Sequence, residues 1–353
     1  MEAKKNLIFV IYDSILNSVF YSMVLSPLIE KLNLDPNLHI TLISFERNKI
    51  PENKTDIPKT DRLKVVLLKR PRFFGKSSFI FSIQKLKSVF KKYPGEIIAR
   101  GPLAGYITLK ATNNPFTVQA RGLCAEEYRY TQNYKKSNFL KTAISKLIYK
   151  QFKNIEHTVY ASNKVLIESV SCALKTYITE NFKAKKNKIT IINDDIPSKF
   201  SKEEIIFFRK EVREKLSIDE TKFVYCYSGS AQPWQCIEDV VDFFKQELSK
   251  QENIFLLVLT QETNHFEKLF KDNFFPKNSY KVISINPEIL YQYLSACDAG
   301  LLFRKKDIVN WVSRPTKLLE YQSVGLKIIH NNTIAYLTED SAKKRVASNN
   351  LNV

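Results

Sequence analysis

Short apolar runs alternate with helix-compatible segments along nearly the whole chain, and this alternation limits the possible folds more than any other feature. Several runs are continuous and rich in β-branched residues, as expected of parallel strands covered on both faces. Repeated strand–helix–strand units predict a doubly wound α/β sheet. In the first half the predicted strands are residues 7–12, 39–45, 63–68, 96–99, 116–119, 158–161 and 188–192, and the predicted helices are residues 20–32, 78–92, 103–111, 137–153 and 163–181.

The alternation is interrupted once, near residue 195. Residues 193–200 contain turn formers and Pro197, and they lead into a helix predicted over residues 202–216. The second half then repeats the pattern, with strands at 223–227, 255–259, 281–285, 300–303 and 326–330 and helices at 237–249, 265–271, 287–296 and 315–324. We therefore expect two Rossmann-like domains, residues 1–195 and 196–353, with a cleft between the carboxyl ends of their sheets.

The charge of the chain is concentrated in its first half. The 353 residues carry a formal net charge of +19. Residues 1–200 contain 34 Lys and Arg against 16 Asp and Glu, whereas residues 201–353 contain 21 against 20. A strongly basic domain predicts an anionic partner, such as nucleic acid, an acidic membrane surface or a phosphorylated substrate.

Several classes of protein are disfavoured by the sequence. No apolar stretch reaches the roughly 18 to 20 residues that span a bilayer, and the first apolar run, residues 7–12, is too short for a signal peptide. We therefore expect a cytoplasmic protein. The five cysteines form no C-x-x-C pair and the four histidines are scattered, so we expect neither a disulfide framework nor a metal site.

The segment 228–235 reads Ser-Gly-Ser-Ala-Gln-Pro-Trp-Gln and stands between a predicted strand and a predicted helix. Gly229 permits a tight turn, small residues let a ligand approach the backbone amides, and a helix N-terminus attracts an anion. These features favour a phosphate-binding loop that includes Ser228, Gly229, Ser230 and Gln235. An ordinary βα turn without a ligand is the alternative.

A second candidate segment, residues 313–325, reads S-R-P-T-K-L-L-E-Y-Q-S-V-G. Pro315 suits the first turn of a helix, and Arg314 and Lys317 add cations beside that helix start. Glu320 lies one turn after Lys317 on the same face, where a carboxylate can accept hydrogen bonds from a ribose diol. The segment therefore predicts nucleotide binding, with a surface salt bridge between Lys317 and Glu320 as the alternative.

Two stretches of the second half, ILYQYLSACDAGLLFRKKD (289–307) and SRPTKLLEYQSVGLKII (313–329), carry a family resemblance. They resemble the donor-nucleotide half of the GT-B glycosyltransferases, in particular the large retaining family four. In the first half, IIARGPLAGYITLKATNNPFTVQARGLCAEEYRY (97–130) is similar to the acceptor-side segment of one branch of that family. The resemblance implies two tandem Rossmann-like domains that face each other across a cleft, the first binding the acceptor and the second a nucleotide-sugar.

The resemblance also implies roles for individual residues. Lys317 and the loop 228–235 would hold the diphosphate, and Glu320 the ribose. The predicted donor-binding residues are Ser228, Gly229, Ser230, Gln235, Asn286, Ile289, Arg314, Pro315, Thr316 and Glu320. No metal and no cofactor besides the donor is expected, because Lys317, with help from Arg314, supplies positive charge for the leaving group.

On the acceptor side, the resemblance implies that Arg121 faces the cleft together with Glu126 or Glu127. Lys317, Arg121 and Glu127 are therefore the predicted catalytic residues. The implied reaction is transfer of a sugar to a glycan or lipid-linked acceptor in cell-surface polysaccharide synthesis, with retention and without a metal. Residue 312, eight before Glu320, is Val where the family often has Glu, so a GT-B protein that binds sugar nucleotides without transferring sugar is the alternative.

The basic segment 135–153 has a helical stripe of Leu140, Ala143, Ile144, Leu147 and Ile148, with lysines elsewhere. Basic amphipathic helices lie on anionic lipid, which predicts peripheral association with the inner face of the cell membrane. A core-packing helix with a solvated lysine face is the alternative. Nucleic-acid binding would use the same charge, but the sequence has no recognised nucleic-acid-binding motif, so no nucleic-acid partner is expected.

Overall fold

The structure is a computed structural model of the chain. It describes residues 4–17, 20–50, 57–58, 60–71, 76–133, 139–192 and 200–338. The chain divides into two compact units, Met1–Asp195 and Ile196–Val353, which we call the N-terminal and the C-terminal unit. Each unit is built on one parallel sheet. Among the described helices, none combines the length and the apolar character needed to cross a lipid bilayer.

The described sheet of the N-terminal unit has seven parallel strands, and its first strand in sequence lies inside the sheet and is covered on both faces. The strands are β1 (Lys5–Ile11), β2 (Leu38–Glu46), β3 (Leu63–Lys69), β4 (Glu96–Arg100), β5 (Phe116–Ala120), β6 (Val165–Ser169) and β7 (Ile189–Ile191), arranged in the order β3-β2-β1-β4-β5-β6-β7. Leu7, Phe9 and Ile11 of β1 pack into one core cluster. Ile8 and Val10 between them are equally buried, which explains why this strand reads as a continuous apolar run.

The helices of the N-terminal unit connect these strands. They are α1 (Ser26–Leu34), α2 (Lys76–Lys92), α3 (Gly101–Ala111), α4 (Cys124–Gln132), α5 (Phe139–Tyr160) and α6 (Cys172–Phe182), and a π-helical turn, Tyr21–Leu25, leads into α1. The helices α2 and α5 both pack against α3. The predicted α/β alternation is therefore present in this half of the chain.

Two predictions in the N-terminal unit are wrong. Residues 158–161 were expected to form a strand because they are apolar and β-branched, but residues 158–160 are the last turn of α5, where Ile155 and Val159 are buried one turn apart. The next strand is β6, which lies inside the predicted helix 163–181 and buries Val165 and Ile167 alternately. A short apolar run does not distinguish a strand from a buried helix end.

The C-terminal unit begins with α7 (Lys202–Leu216) and continues around a five-stranded parallel sheet. Its strands are β8 (Phe223–Ser228), β9 (Ile254–Leu259), β10 (Tyr280–Ile283), β11 (Ala299–Leu302) and β12 (Lys327–His330), in the order β10-β9-β8-β11-β12. The helices are α8 (Ile237–Lys250), α9 (Thr263–Asp272), α10 (Leu290–Ser295), α11 (Ile308–Val312) and α12 (Thr316–Ser323). Alternate residues of β8 enter separate core clusters: Val224 and Cys226 one, Tyr225 and Tyr227 the other.

Helix α7 was predicted over the residues that form it, and local sequence explains both of its ends. Ser201 caps its N-terminus, accepting the amide of Glu204, while the Glu204 carboxylate accepts the amide of Ser201. This reciprocal pair is a capping box, which satisfies two amides that have no partner inside the helix. Ser217 ends the helix in a left-handed conformation with φ 55°.

Both sheets reverse their strand order beside their first strand. In the N-terminal sheet, β2 lies on one side of β1 and β4 on the other; in the C-terminal sheet, β9 and β11 flank β8 in the same way. Connections leave such a switch point in opposite directions, and the crevice at the carboxyl ends of the two strands is where open α/β sheets bind ligands. Each unit therefore offers one favoured place for a site.

Candidate functional site

Lys317 is a buried cation at the switch point of the C-terminal sheet. It stands in the first turn of α12 with 8% of its surface exposed. Its Nζ donates a hydrogen bond of 2.9 Å to Oε1 of Gln235 and lies 3.9 Å from the centroid of the Tyr227 ring. A cation over an aromatic face is attracted by the ring quadrupole, so the protein holds this ammonium group in a defined position next to the loop that follows β8.

Gly229 makes room for Lys317. Its φ is +133°, a conformation that residues with a side chain rarely adopt, and a Cβ at this position would lie 2.7 Å from Cε of Lys317 and 2.9 Å from its Nζ. A glycine is therefore required here both by the backbone conformation and by the lysine that crosses it.

The loop 228–235 is fixed by hydrogen bonds from its own backbone. The amide of Ser228 donates to the Tyr321 hydroxyl (3.1 Å), that of Gly229 to the Leu259 carbonyl (2.8 Å), and that of Ala231 to the Glu262 carboxylate (2.6 Å). Protein acceptors occupy these three amides, and the approach of a ligand to this loop stays a prediction. The loop presents Gly229 and the side chain of Gln235 to Lys317.

Tyr321 holds the first residue of the loop through its hydroxyl group, and its ring fits because residue 300 is a glycine. Its ring is fully buried, and a Cβ on Gly300 of β11 would overlap it. Because Gly300 has no side chain, the ring reaches β8, where its hydroxyl accepts the Ser228 amide. Contacts among β8, β11 and α12 therefore set the position of the loop.

Burial dominates the electrostatics of this site. It holds the pKa of Lys317 well below its usual value, and the positive charge of Arg304 lowers it further. Burial also raises the pKa of Glu320 to about 7, with Lys317 opposing the shift. Both residues are 8% exposed, so the alternative interpretation of a surface salt bridge between them is wrong. An anion that arrives beside a buried cation favours the charged form of that group.

Arg304 is the residue of this site that the sequence did not assign. It follows β11 by two positions, is 7% exposed, and donates from Nη1 to the Phe303 carbonyl (3.0 Å). Its backbone is held by Asn331, whose Nδ2 donates to the Arg304 carbonyl (2.8 Å). Arg304 and Lys317 both follow β11, in the part of the chain that leads from that strand into α12, and the charge of Arg304 acts on Lys317.

The remaining predicted donor-binding residues have varied local contacts. Pro315 immediately precedes α12, and Thr316 is the first residue of that helix. The guanidinium of Arg314 lies 5.8 Å from the centroid of the Tyr336 ring. Asn286 accepts the amide of Glu288 (3.1 Å) and so caps a short 3₁₀ turn, while Ile289 packs against the core. Among the predicted donor-binding residues, Gln235 and Gly229 are in direct contact with Lys317.

The N-terminal unit contains a cavity of about 410 Å³ at its own switch point, which we call the arginine cavity. It is lined at the end of β1 by Tyr12 and Asp13 and at the end of β4 by Arg100. Two predicted residues, Arg121 and Glu127, line it as well. Arg121 donates from Nη2 to Oε1 of Gln119 at 3.1 Å.

The two glutamates at the start of α4 have different environments. Glu126 is buried away from the cavity, in ion pairs with Arg129 (2.7 Å) and Lys153 (2.8 Å). Glu127 lines the cavity as an exposed residue, while desolvation of its carboxyl group raises its pKa. Its carboxylate passes so close to Gly122 that a Cβ there would overlap it. The resemblance implied that Glu126 or Glu127 faces the cleft, with Glu127 as the predicted catalytic residue. Of the two, Glu127 lines the same cavity as Arg121.

The described metal-ligating side chains of the two units do not form a cluster. Within the described ranges, no group of three or more His, Cys, Asp or Glu residues is arranged to hold a metal ion. The described cysteines are free thiols.

Comparison with known proteins gives similarity in structure. No family model and no curated protein matches the sequence. WaaG, a glycosyltransferase involved in lipopolysaccharide biosynthesis, is similar with a TM-score of 0.62 and 12% identity over 95% of this chain and 84% of that one. A UDP-forming α,α-trehalose-phosphate synthase from Burkholderia vietnamiensis has a TM-score of 0.62 and 8% identity, over 96% and 85%. A glycosyltransferase from Rickettsia africae ESF-5 has a TM-score of 0.59 and 14% identity, over 94% and 80%. The chain has the GT-B fold.

The predicted fold class is therefore confirmed. In this GT-B chain, the Lys317 site belongs to the C-terminal unit and the arginine cavity to the N-terminal unit, each at the switch point of its sheet. At 8 to 14% identity the likeness concerns the fold, so the roles of individual residues have to be argued from their own chemistry.

Proposed function

We propose that this GT-B protein transfers a sugar from a nucleotide-diphosphate sugar to a glycan or lipid-linked acceptor in cell-surface polysaccharide synthesis. The observation that carries the proposal is the position of Lys317, a desolvated cation beside Gly229 and Gln235 at the switch point of the C-terminal sheet. Oxygen anions of a diphosphate are the ligands that such a cation favours.

In the proposed reaction, the bond between the anomeric carbon and the diphosphate oxygen breaks, and a bond to the acceptor oxygen forms. Negative charge then grows on the diphosphate, where Lys317 and the neighbouring Arg304 stabilise it. Fixed cations in a water-excluded site stabilise such charge more than water does. An arriving diphosphate raises the pKa of Lys317, so the ammonium form is favoured when the leaving group needs it. These two cations support transfer without a metal.

The rest of the donor has candidate contacts on the same unit. Glu320 is proposed to accept hydrogen bonds from the ribose hydroxyls, since its buried carboxyl lies one turn after Lys317. The turn that Asn286 caps is proposed to lie beside the base. Arg314, Pro315 and Thr316 stay candidates for the phosphate region because they surround the start of α12.

The acceptor is proposed to bind in the N-terminal unit, in the arginine cavity. Glu127 is the proposed group that accepts a hydrogen bond from the reacting hydroxyl and takes its proton, and Arg121 is proposed to orient the acceptor. A carboxyl with a raised pKa is a better proton acceptor near neutral pH. Retention of the anomeric configuration is part of the proposal and rests on the resemblance to family four.

We further propose that the protein works at the cytoplasmic face of the membrane. The apolar stripe of α5 supports this, because Ile144 is 50% and Leu147 is 68% exposed among the exposed lysines Lys141, Lys146 and Lys150. None of residues 141–150 is buried, whereas the last turns of the same helix bury Ile155 and Val159 and the helix packs against α3 and α4. Exposed apolar side chains flanked by lysines match an interfacial helix on anionic lipid.

A second candidate function is binding of a sugar nucleotide without transfer. The observation that favours it is Val312, which is 1% exposed at the end of α11 and stands where the family often has a glutamate. This candidate shares the donor site with the main proposal, so only turnover separates the two.

The proposal is tested by a thermal-shift screen against UDP, GDP, ADP and CMP, followed by turnover assays with the sugar donors of the nucleotide that binds. We expect one nucleotide to raise the melting temperature and its sugar donor to be consumed. Lys317→Ala should abolish both effects, whereas Lys327→Ala, an exposed lysine of β12, should change neither. If nucleotide binds without turnover, the second candidate function is correct; if no nucleotide binds, both are wrong.

A further inference from the structure

Three arginines reach the arginine cavity from three different strands. Arg70 follows β3, Arg100 ends β4 and Arg121 follows β5. These strands are separated in sequence, but their carboxyl ends share one edge of the sheet. The result is a concentration of guanidinium groups at the switch point.

The guanidinium groups of Arg100 and Arg70 have unused hydrogen-bonding capacity. Nη1 of Arg100 is buried, and within the described part of the chain it has no acceptor at hydrogen-bond distance. Nη1 of Arg70 donates to the Tyr12 carbonyl (2.9 Å), but its Nε is buried and has no described acceptor either. A buried donor without an acceptor is costly, most of all on a charged group. An anionic ligand in the cavity would remove that cost.

The carboxylates of the cavity neutralise the arginines only in part: burial lowers the pKa of both Arg70 and Arg100, and the charge of Asp13 opposes that shift. Asp13 is engaged by its own loop, accepting the Ser14 amide (2.8 Å) and Nδ2 of Asn17 (2.7 Å). Burial raises the pKa of Glu127 and lowers that of Arg100 to about 10, which leaves the arginine charged at neutral pH. Three guanidinium groups against two carboxylates leave an excess of positive charge in the lining of the cavity.

We propose that the acceptor sugar carries an anionic group, a phosphate or a carboxylate, which Arg100 and Arg70 bind inside the arginine cavity. This inference rests on the proposed function and names the chemical class of its acceptor. A volume of about 410 Å³ accommodates one monosaccharide unit with its substituent, since ligand pockets start at roughly 300 Å³. Tyr12 and Phe20 add an apolar wall for the sugar ring.

The test is calorimetric titration of the full chain with glucose, galactose, mannose and N-acetylglucosamine, each as the neutral sugar, the 6-phosphate and, for the hexoses, the uronate. We expect at least one anionic sugar to bind, and its neutral counterpart to bind at least tenfold more weakly. The phosphate and uronate arms identify which anion is recognised. The proposal is wrong if a neutral sugar binds as tightly as its anionic forms or if no anionic sugar binds. Equal binding of glycerol 3-phosphate would show recognition of phosphate alone and overturn the sugar assignment.

Variants tie the binding to the arginines. Arg100→Gln should weaken the anionic sugar roughly 10- to 100-fold, as expected for loss of a hydrogen bond to a charged group, and Arg100→Lys should weaken it less. Lys87→Gln, an exposed lysine of α2, removes the same charge and should change nothing. Unchanged melting temperatures establish that each variant is folded. Binding that survives both Arg100 substitutions would contradict the proposal.

The inference and the proposed function fail separately. Lys317→Met should remove nucleotide binding and leave the anionic sugar bound, because the two sites are on different units. If anionic sugar binds and no nucleotide does, the proposed function is wrong and the anion site stands. If nucleotide binds and no anionic sugar does, the anion site is wrong.

Discussion

Nζ of Lys317 donates a hydrogen bond of 2.9 Å to Oε1 of Gln235, across 82 positions of sequence. The amide oxygen partly compensates for the desolvation that lowers the pKa of this lysine. An amide accepts a hydrogen bond from the ammonium without neutralising it. The pair therefore keeps a cation in place whose charge remains available to a diphosphate.

Replacement of Gln235 by leucine should weaken binding of the nucleoside diphosphate. Without the amide oxygen, the buried ammonium loses its acceptor and its pKa falls further, so the charged form that binds the diphosphate is disfavoured. We expect the dissociation constant to rise about 10-fold or more, measured by calorimetry at pH 7. Gln232→Leu, on an exposed side chain of the same loop, is the control and should leave the affinity unchanged; equal effects of both substitutions would contradict a specific role for Gln235.

The stability of the protein should carry a pH-dependent contribution from Glu320. Its pKa is about 7 in the folded chain against 4.5 for the unconstrained side chain. Between these values the folded state binds more protons than the unfolded state, so this contribution to the unfolding free energy falls as pH rises from about 4.5 through 7. Glu320→Gln removes it.

The unfolding free energy of Glu320→Gln minus that of the wild type should therefore be about 2 to 3 kcal/mol larger at pH 8 than at pH 5. This is the free energy that corresponds to about two pKa units. Chemical denaturation at the two pH values measures this difference. Glu252→Gln, at an exposed position, should show no such change. A stability difference between Glu320→Gln and wild type that is the same at both pH values would contradict the burial of an ionisable carboxyl here.

Gly122→Ala should reduce transfer without unfolding the chain. The added methyl group would overlap the end of the Glu127 side chain, which is flexible and can turn away at small cost in stability. Glu127 then no longer points into the arginine cavity, so we expect turnover to fall at least 10-fold with a melting temperature within about 2 °C of the wild type. Kinetic assays beside thermal unfolding check both parts. Gly122→Ala with full activity would exclude Glu127 as the group that handles the acceptor proton.

Arg213 should be one of the most sensitive positions for stability. It is completely buried and donates to the carbonyls of Ala296, Asp219, Glu220 and Lys222 and to the carboxylate of Asp298. Arg213→Met removes all of these hydrogen bonds, although Asp298 keeps those from Arg209 and the Val224 amide, and it should destabilise the C-terminal unit by about 3 to 5 kcal/mol. Arg209→Met provides the comparison, because that arginine binds the same Asp298 from a partly exposed position. An equal loss of unfolding free energy in both variants would contradict the larger contribution of the buried arginine.

Most elements of the fold were predictable because their signals are local. Helix α7 was recognised from the turn formers before it and from its acidic and basic residues, and β8 and β9 from short apolar runs. Residues 158–160 and β6 were misassigned because strand-like residues can end a helix when its i and i+4 side chains are buried. Local composition does not report which face a neighbouring element will cover.

The candidate site was predictable only in part, for the same reason. Gln235 and Gly229 were predicted from the loop 228–235, which follows β8, and Lys317 from the segment 313–325, which contains the start of α12. Arg304, Tyr321 and the glycine that accommodates its ring, Gly300, depend on β8 and β11 being neighbours in the sheet. Arg70 and Arg100 likewise reach the arginine cavity through strand order, which a single sequence does not encode in its spacing.

Whether Lys317 binds the diphosphate of a nucleotide-sugar is measured by calorimetric titration of the protein with a nucleoside diphosphate and, separately, with the corresponding nucleoside. The wild type should bind the diphosphate far more tightly than the nucleoside. Lys317→Ala should reduce that preference roughly 10- to 100-fold, as expected for loss of a charged hydrogen-bond donor, while affinity for the nucleoside stays the same. An undiminished preference for the diphosphate in Lys317→Ala would contradict the account.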